Sequence, residues 1–212
     1  MQYVAHSSSL LLLGYDSAPH LLHLLLLAEL FVRSSSCPIS ARSLCGAFRL
    51  MLPHLDRLNT FSKELHDLTD DELVYFEAVE NTLDHLPLIR HNATSFRALK
   101  VNATLAQLYV YTHSFTIHVD WLRDARENLS LASSPAEGAG NHLLQLSGLL
   151  NASLHQIMEA VPRTATPPLP PITTAFEAQL YSFQVSERLR VFCDWSRRVL
   201  HHLQRRSCCP RR

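Results

Sequence analysis

Between residues 101 and 122 the side chains Val101, Leu105, Leu108, Thr112, Phe115, Val119 and Leu122 recur at spacings of four, three, four, three, four and three. That alternation keeps one stripe on one side of a 3.6-residue helix for about six turns, and no strand pattern of period two fits it. A helix with such a seam needs neighbouring helices to cover it, so the chain is expected to be an all-α bundle. Glycine usage agrees: only five glycines occur in 212 residues, two of them (Gly138 and Gly140) in one short stretch, too few for a sheet with many tight turns.

Three further helical patterns flank this seam. Phe48, Leu52, Leu55, Leu58, Phe61, Leu65 and Leu68 predict a helix within residues 43–69, where Pro53 either kinks the helix or opens its main part. The acidic cluster Asp70-Asp71-Glu72 reads as a solvated helix end, and residues 73–101 read as a long connection without sustained period. Ser133-Ser134-Pro135 and Gly138-Ala-Gly140 predict a break. A third helix then runs through Leu143, Leu146, Leu150, Leu154, Ile157 and Val161 until Pro162 stops it. Residues 162–171 contain five prolines and predict an extended, semi-rigid linker. Thr173 or Thr174 caps the last helix, which continues through Val185, Leu189, Phe192, Trp195, Val199 and Leu203. A long first connection, a short second one and a stiff third one predict a long-chain four-helix bundle with up-up-down-down topology, the cytokine arrangement.

The apolar block from Leu21 to Val32 has the length of a secretion-signal core and falls short of the ~20 residues of a spanning helix. Residues 1–36 are expected to be a cleaved leader, 37–205 the bundle, and 206–212 a basic, cysteine-bearing tail. A true start upstream and a membrane anchor are the alternatives for the leader. Four N-x-[ST] sequons, at Asn92, Asn102, Asn128 and Asn151, fit export and make these asparagines glycosylation candidates. In an oxidising compartment, Cys37 and Cys45 can bridge to the Cys208-Cys209 pair, and Cys193 reads as a buried free thiol.

Nineteen basic and nineteen acidic side chains leave no net field to attract nucleic acid. No phosphate-binding loop, nucleophile elbow or H-E-x-x-H occurs, and the thirteen histidines lack metal-ligand spacing, so neither an enzyme nor a cofactor is expected. The informative residues lie on the last helix. At 100° per residue, Phe176 falls about 160° and Phe183 about 180° from a core stripe centred on Phe192, with Leu180 about 120° away. The expectation is that the first connection buries Phe183 and Leu180, and that Phe176 at the helix tip stays available to a partner. Arg190, Arg197, Arg198 and Arg205, with Asp194 and His201, fall on an outward basic face. Such a face serves as plain solvated surface, as an interface anchor, or, with Arg206, Arg211 and Arg212, as a polyanion site.

Two spaced blocks carry a family resemblance. Leu83-Asp-His-Leu-Pro87 is followed some thirty residues later by Val119-Asp-Trp-Leu-Arg123, and the proline-rich linker into Phe176 is followed eighteen residues later by Asp194-Trp195-Ser-Arg-Arg198. These resemble the interleukin-11 group of the interleukin-6 family. The resemblance implies a secreted, non-catalytic ligand that binds an interleukin-11-type α-receptor and the shared signalling receptor glycoprotein 130, and so activates JAK–STAT signalling without inserting into a membrane. It places Arg198 in the α-receptor patch, with Arg197 beside it and Phe96 completing it from the end of the first connection. It places Phe176 in the patch for the second signalling receptor, where the family carries tryptophan; phenylalanine keeps the apolar anchor and lacks the indole N–H. The remaining patch lies on the outer faces of helices one and three, with no residue carried over. Five cysteines and four sequons set the chain apart from the cysteine-free mammalian-type pattern. Alternative readings are another interleukin-6-type ligand, such as one like leukaemia inhibitory factor or a ciliary neurotrophic factor relative, and a secreted helical heparin-binding or carrier protein. Heparan sulfate is thus a further candidate ligand.

Overall fold

The computed structural model describes residues 39–66, 68–79, 83, 85–89 and 95–208, and all regular structure among them is helical. Helix α1 spans Ile39–Glu64, α2 Asp70–Glu77, α3 Val101–Asn128, α4 Ser134–Gln156 and α5 Ala175–Ser207, with a single 3-10 turn at Ser95–Ala98. Residues 1–36, read as a leader, and the sequon at Asn92 lie outside the described residues, as do Cys37, Cys209, Arg211 and Arg212.

Four long helices form the bundle. Each of α1 and α3 packs against both α4 and α5. Pairings along the axis set the directions: Cys45 meets Cys208 and Asp56 meets Arg197, so α1 and α5 are antiparallel. Phe115 lies 5.0 Å from Phe192 and Trp121 lies 5.2 Å from Tyr181, so α3 and α5 are antiparallel too. His54 touches His142. Asn102, at the start of α3, reaches Glu159 just past the end of α4. α1 and α3 therefore point one way and α4 and α5 the other, the up-up-down-down topology expected from the connection lengths.

The seam read from residues 101–122 is the inner face of α3: Leu105, Phe115, Val119 and Leu122 are fully buried beside Leu189, Phe192 and Val199 of α5 and Leu143 and Leu154 of α4. Each such side chain contributes ~1.5–3 kcal/mol through burial. Cys193 is buried within this core as a free thiol, and burial pushes its pKa up.

Several boundaries differ from the sequence reading, each for a local reason. α1 begins at Ile39 and accommodates Pro53 in its interior, on the exposed side, where water can satisfy the carbonyl that Pro53 leaves without a donor. The break expected here ends at Ser133, the N-cap, and residues 134–140 are the first turns of α4 instead. Pro135 takes an early helical position that needs no N–H, and Gly138 removes a side chain whose Cβ would stand 2.5 Å from the Phe61 ring of α1. α4 ends at Gln156, five residues before the expected Val161. Met158 turns left-handed at φ 57°, and the Glu159 and Met158 N–H groups donate to the Leu154 and His155 carbonyls. This Schellman ending does not wait for Pro162. Finally, the first connection contains α2. Thr69 and Glu72 form a capping box, with Glu72 accepting from the Thr69 N–H at 2.8 Å, which holds the Glu72 carboxyl below its usual range.

Candidate functional site

The sequence-derived candidates separate to opposite ends of α5. At its N-terminal end, Thr174 caps the helix: its hydroxyl accepts from the Glu177 N–H, while the Glu177 carboxylate accepts from the N–H groups of Thr173 at 2.8 Å and Thr174 at 3.0 Å. Those donors, the Thr173 amide first, lower the Glu177 pKa. The cap fixes the direction in which the chain enters the helix, and so where Phe176 points. Upstream, the Trp121 indole N–H donates to the Pro170 carbonyl at 3.2 Å and the Trp121 ring packs on Tyr181, which pins the proline linker to α3.

Phe176 remains 53% exposed and rests against Phe76 of α2, ring centroids 5.5 Å apart. Phe76 in turn packs on Phe183 at 6.1 Å, and His66 approaches Phe183 from the end of α1 at 5.7 Å. Phe183 is thus buried beneath the first connection, as expected, whereas Leu180, for which the same burial is expected, is only half-buried. Tyr75, 63% exposed, joins Leu68, Phe76, Ala175, Phe176 and Gln179 around an open groove of about 530 Å³ that also carries Asp71 and Glu72. This end therefore presents an aromatic ridge with an acidic margin.

The opposite end is basic and covalently fastened. Cys45 of α1 is bonded to Cys208 just past α5, with Cα atoms 5.7 Å apart. Arg198, Arg205 and Arg206 are exposed, and Arg198 makes no ion pair with any described residue. Phe96, on the 3-10 turn, packs beside His202 at 6.3 Å, one turn from Arg198, and Arg206 donates to the Leu99 carbonyl. The end of the first connection and α5 therefore form one continuous surface here. Arg197 behaves differently: it pairs with Asp194 at 3.2 Å and with Asp56 of α1 at 3.5 Å, so it ties two helices together. Arg190 is engaged with Glu187 at 2.8 Å.

Residues 38–207 match the family model described as Interleukin 11. The chain belongs to the interleukin-11 family. No curated protein and no solved structure matches it. Membership makes the bundle a helical cytokine rather than an enzyme, of a family generally secreted and acting through receptors. No helix among the described residues is long and apolar enough to cross a membrane. No group of three or more potential metal ligands is assembled among them.

Of the sequons of this interleukin-11 family member, Asn128 closes α3 in an exposed turn and Asn102 is exposed at the start of α3. Asn151 is half-buried in mid-α4, its Oδ1 buried without a hydrogen-bond partner among the described residues. Two features escaped the sequence reading. The first is α2, signalled by Thr69-Asp-Asp-Glu72. The second is Arg126, 3% exposed at the end of α3. The seam's own spacing runs on from Val119 and Leu122 to position 126, so a basic residue at an inward position was the available signal.

Proposed function

We propose that the chain is a secreted interleukin-11-type ligand that holds an α-receptor at the basic end of α5 and the shared signalling receptor glycoprotein 130 at the aromatic end, bringing them together to activate JAK–STAT signalling. The observation that carries this reading is the exposure of Phe176 at the tip of α5, held by a capping box and by the linker clamp at Trp121. An exposed aromatic on a rigid mount buries much area at little conformational cost, the usual property of an interface anchor. The exposed Arg198 guanidinium beside the Phe96–His202 contact supports an α-receptor patch of Phe96 and Arg198; Arg197 contributes by keeping α5 against α1. Residues 1–36 act as a secretion leader, Asn128 and Asn102 present the accessible sequons, and the arginines at the end of α5 offer heparan sulfate a weak, salt-sensitive contact.

The test is binding of the secreted protein to the α-receptor ectodomain, followed by recruitment of the glycoprotein 130 ectodomain to that complex. Arg198→Ala is expected to weaken the first step by about tenfold or more and leave helicity unchanged. Equal α-receptor binding by Arg198→Ala would remove that residue from the patch.

A further inference from the structure

Arg126 is the least expected side chain in the bundle. Its guanidinium is buried where α3 ends and, among the described residues, donates to acceptors on other segments that include the Ala132 carbonyl in the α3–α4 turn at 2.6 Å, the Leu65 carbonyl just past α1 at 3.3 Å, and the Ser182 hydroxyl and Gln179 side-chain carbonyl of α5 at 3.2 and 3.4 Å. The Leu65 carbonyl is an orphan of a helix C-terminus, and a planar fork suits acceptors spread over several directions.

The position of these acceptors gives the contact a meaning beyond stability. Leu65 precedes His66, which packs on Phe183, and Leu68, which belongs to the wall of the tip groove formed by the first connection. Gln179 lies one turn after Phe176 and lines the same groove, and Ser182 precedes Phe183, on which Phe76 rests. One buried cation thus holds both walls from below.

We infer that Arg126 is the positioning residue of the aromatic tip, fixing the α1–α2 wall against the start of α5 so that Phe76 and Phe176 present one preformed ridge to the second receptor. This rests on the assignment of Phe176 as that receptor's anchor.

A double-mutant cycle on the full secreted chain tests it, reading glycoprotein 130 recruitment to the preformed α-receptor complex for wild type, Phe176→Ala, Arg126→Met and the double variant. Arg126→Met is expected to weaken recruitment by about tenfold with α-receptor binding within about twofold of wild type, and Phe176→Ala is expected to add little on top of it. Normal recruitment by Arg126→Met overturns the positioning role. So does a fully additive Phe176→Ala, which would mean that Arg126 acts elsewhere. A parallel fall in α-receptor binding also overturns it, marking a general structural role. If Phe176→Ala alone recruits normally, the anchor assignment falls and this inference with it. If Phe176→Ala fails while Arg126→Met recruits normally, only the inference falls. Should Arg126→Met not fold, Ser182→Ala removes one acceptor from the fork and is expected to give a smaller loss in the same step; no loss there overturns the inference.

Discussion

The two ends of α5 solve the same problem with opposite means. At the C-terminal end a disulfide from Cys45 to Cys208 fastens the last helix to the first, and the surface around it is polar and basic. At the N-terminal end no covalent link occurs among the described residues. Capping at Thr174, the indole contact at Pro170 and the buried Arg126 hold the helix start, and the surface is aromatic with acidic neighbours. The difference teaches that the two faces can be damaged separately. A covalent staple constrains the unfolded chain and is indifferent to side-chain detail, whereas a network of hydrogen bonds and ring contacts sets an angle and fails when one member is lost.

Breaking the staple gives the largest effect. Cys45→Ser or Cys208→Ser opens a loop with a sequence separation of 163 residues and is expected to cost about 3–5 kcal/mol in denaturant unfolding. Hydrogen exchange should rise first at residues 39–48 and 198–208, with the aromatic tip protected longest. Uniform exchange at both ends would erase the contrast.

Next comes the packing of α1 on α4. Gly138→Val places branched carbons against the Phe61 ring and is expected to destabilise by about 1–3 kcal/mol. Gly148→Ala in the same helix meets nothing within 4 Å and is expected to stabilise by about 1 kcal/mol through helix propensity alone. Equal effects at the two glycines would contradict the close crossing at Gly138.

A smaller effect comes from pH. His142 contacts His54 at 3.1 Å between α1 and α4, and burial first, then His54 and Arg57, hold its pKa below the ordinary value. Folding therefore favours the neutral ring: this contribution is complete above the unfolded value of about 6.5 and is lost as pH falls below it through the depressed folded value. His142→Gln should flatten the fall in stability on acidification. An unchanged slope would assign acid sensitivity to His118, which burial also depresses. The smallest change is Met158→Gly, which relieves a left-handed backbone at the C-terminus of α4 and is expected to add about 0.5–1 kcal/mol without altering either receptor step.

How much of this was legible follows the same division. The α3 seam and the α5 stripe follow from 100° geometry, because each depends on one helix and its own period, and the Thr174 cap follows from residue type at the helix start; the burial of Phe183, on the side opposite the stripe, depends on the first connection lying over it. Gly138 reads as part of a break because its meaning lies in the approach of the Phe61 ring from another helix. Helix α2 was hidden by its shortness, eight residues stabilised by a cap and by Phe76 packing across the chain. Arg126 sat in plain view on the seam, yet its partners come from segments 61, 53 and 56 residues away and from the next turn. Phe176 as an available aromatic and Arg198 on an outward basic face follow from the helix wheel, whereas Phe96 and the receptor assigned to each patch come from resemblance to a family pattern, since nothing in spacing alone separates Arg198 from a paired arginine such as Arg197.

The most direct measurement is the two-step binding of Phe176→Ala. Unchanged α-receptor affinity with loss of glycoprotein 130 recruitment and of STAT phosphorylation in responsive cells is the result expected of a ligand with two separable ends. Full recruitment and signalling by Phe176→Ala, or equal loss of both binding steps, would contradict it.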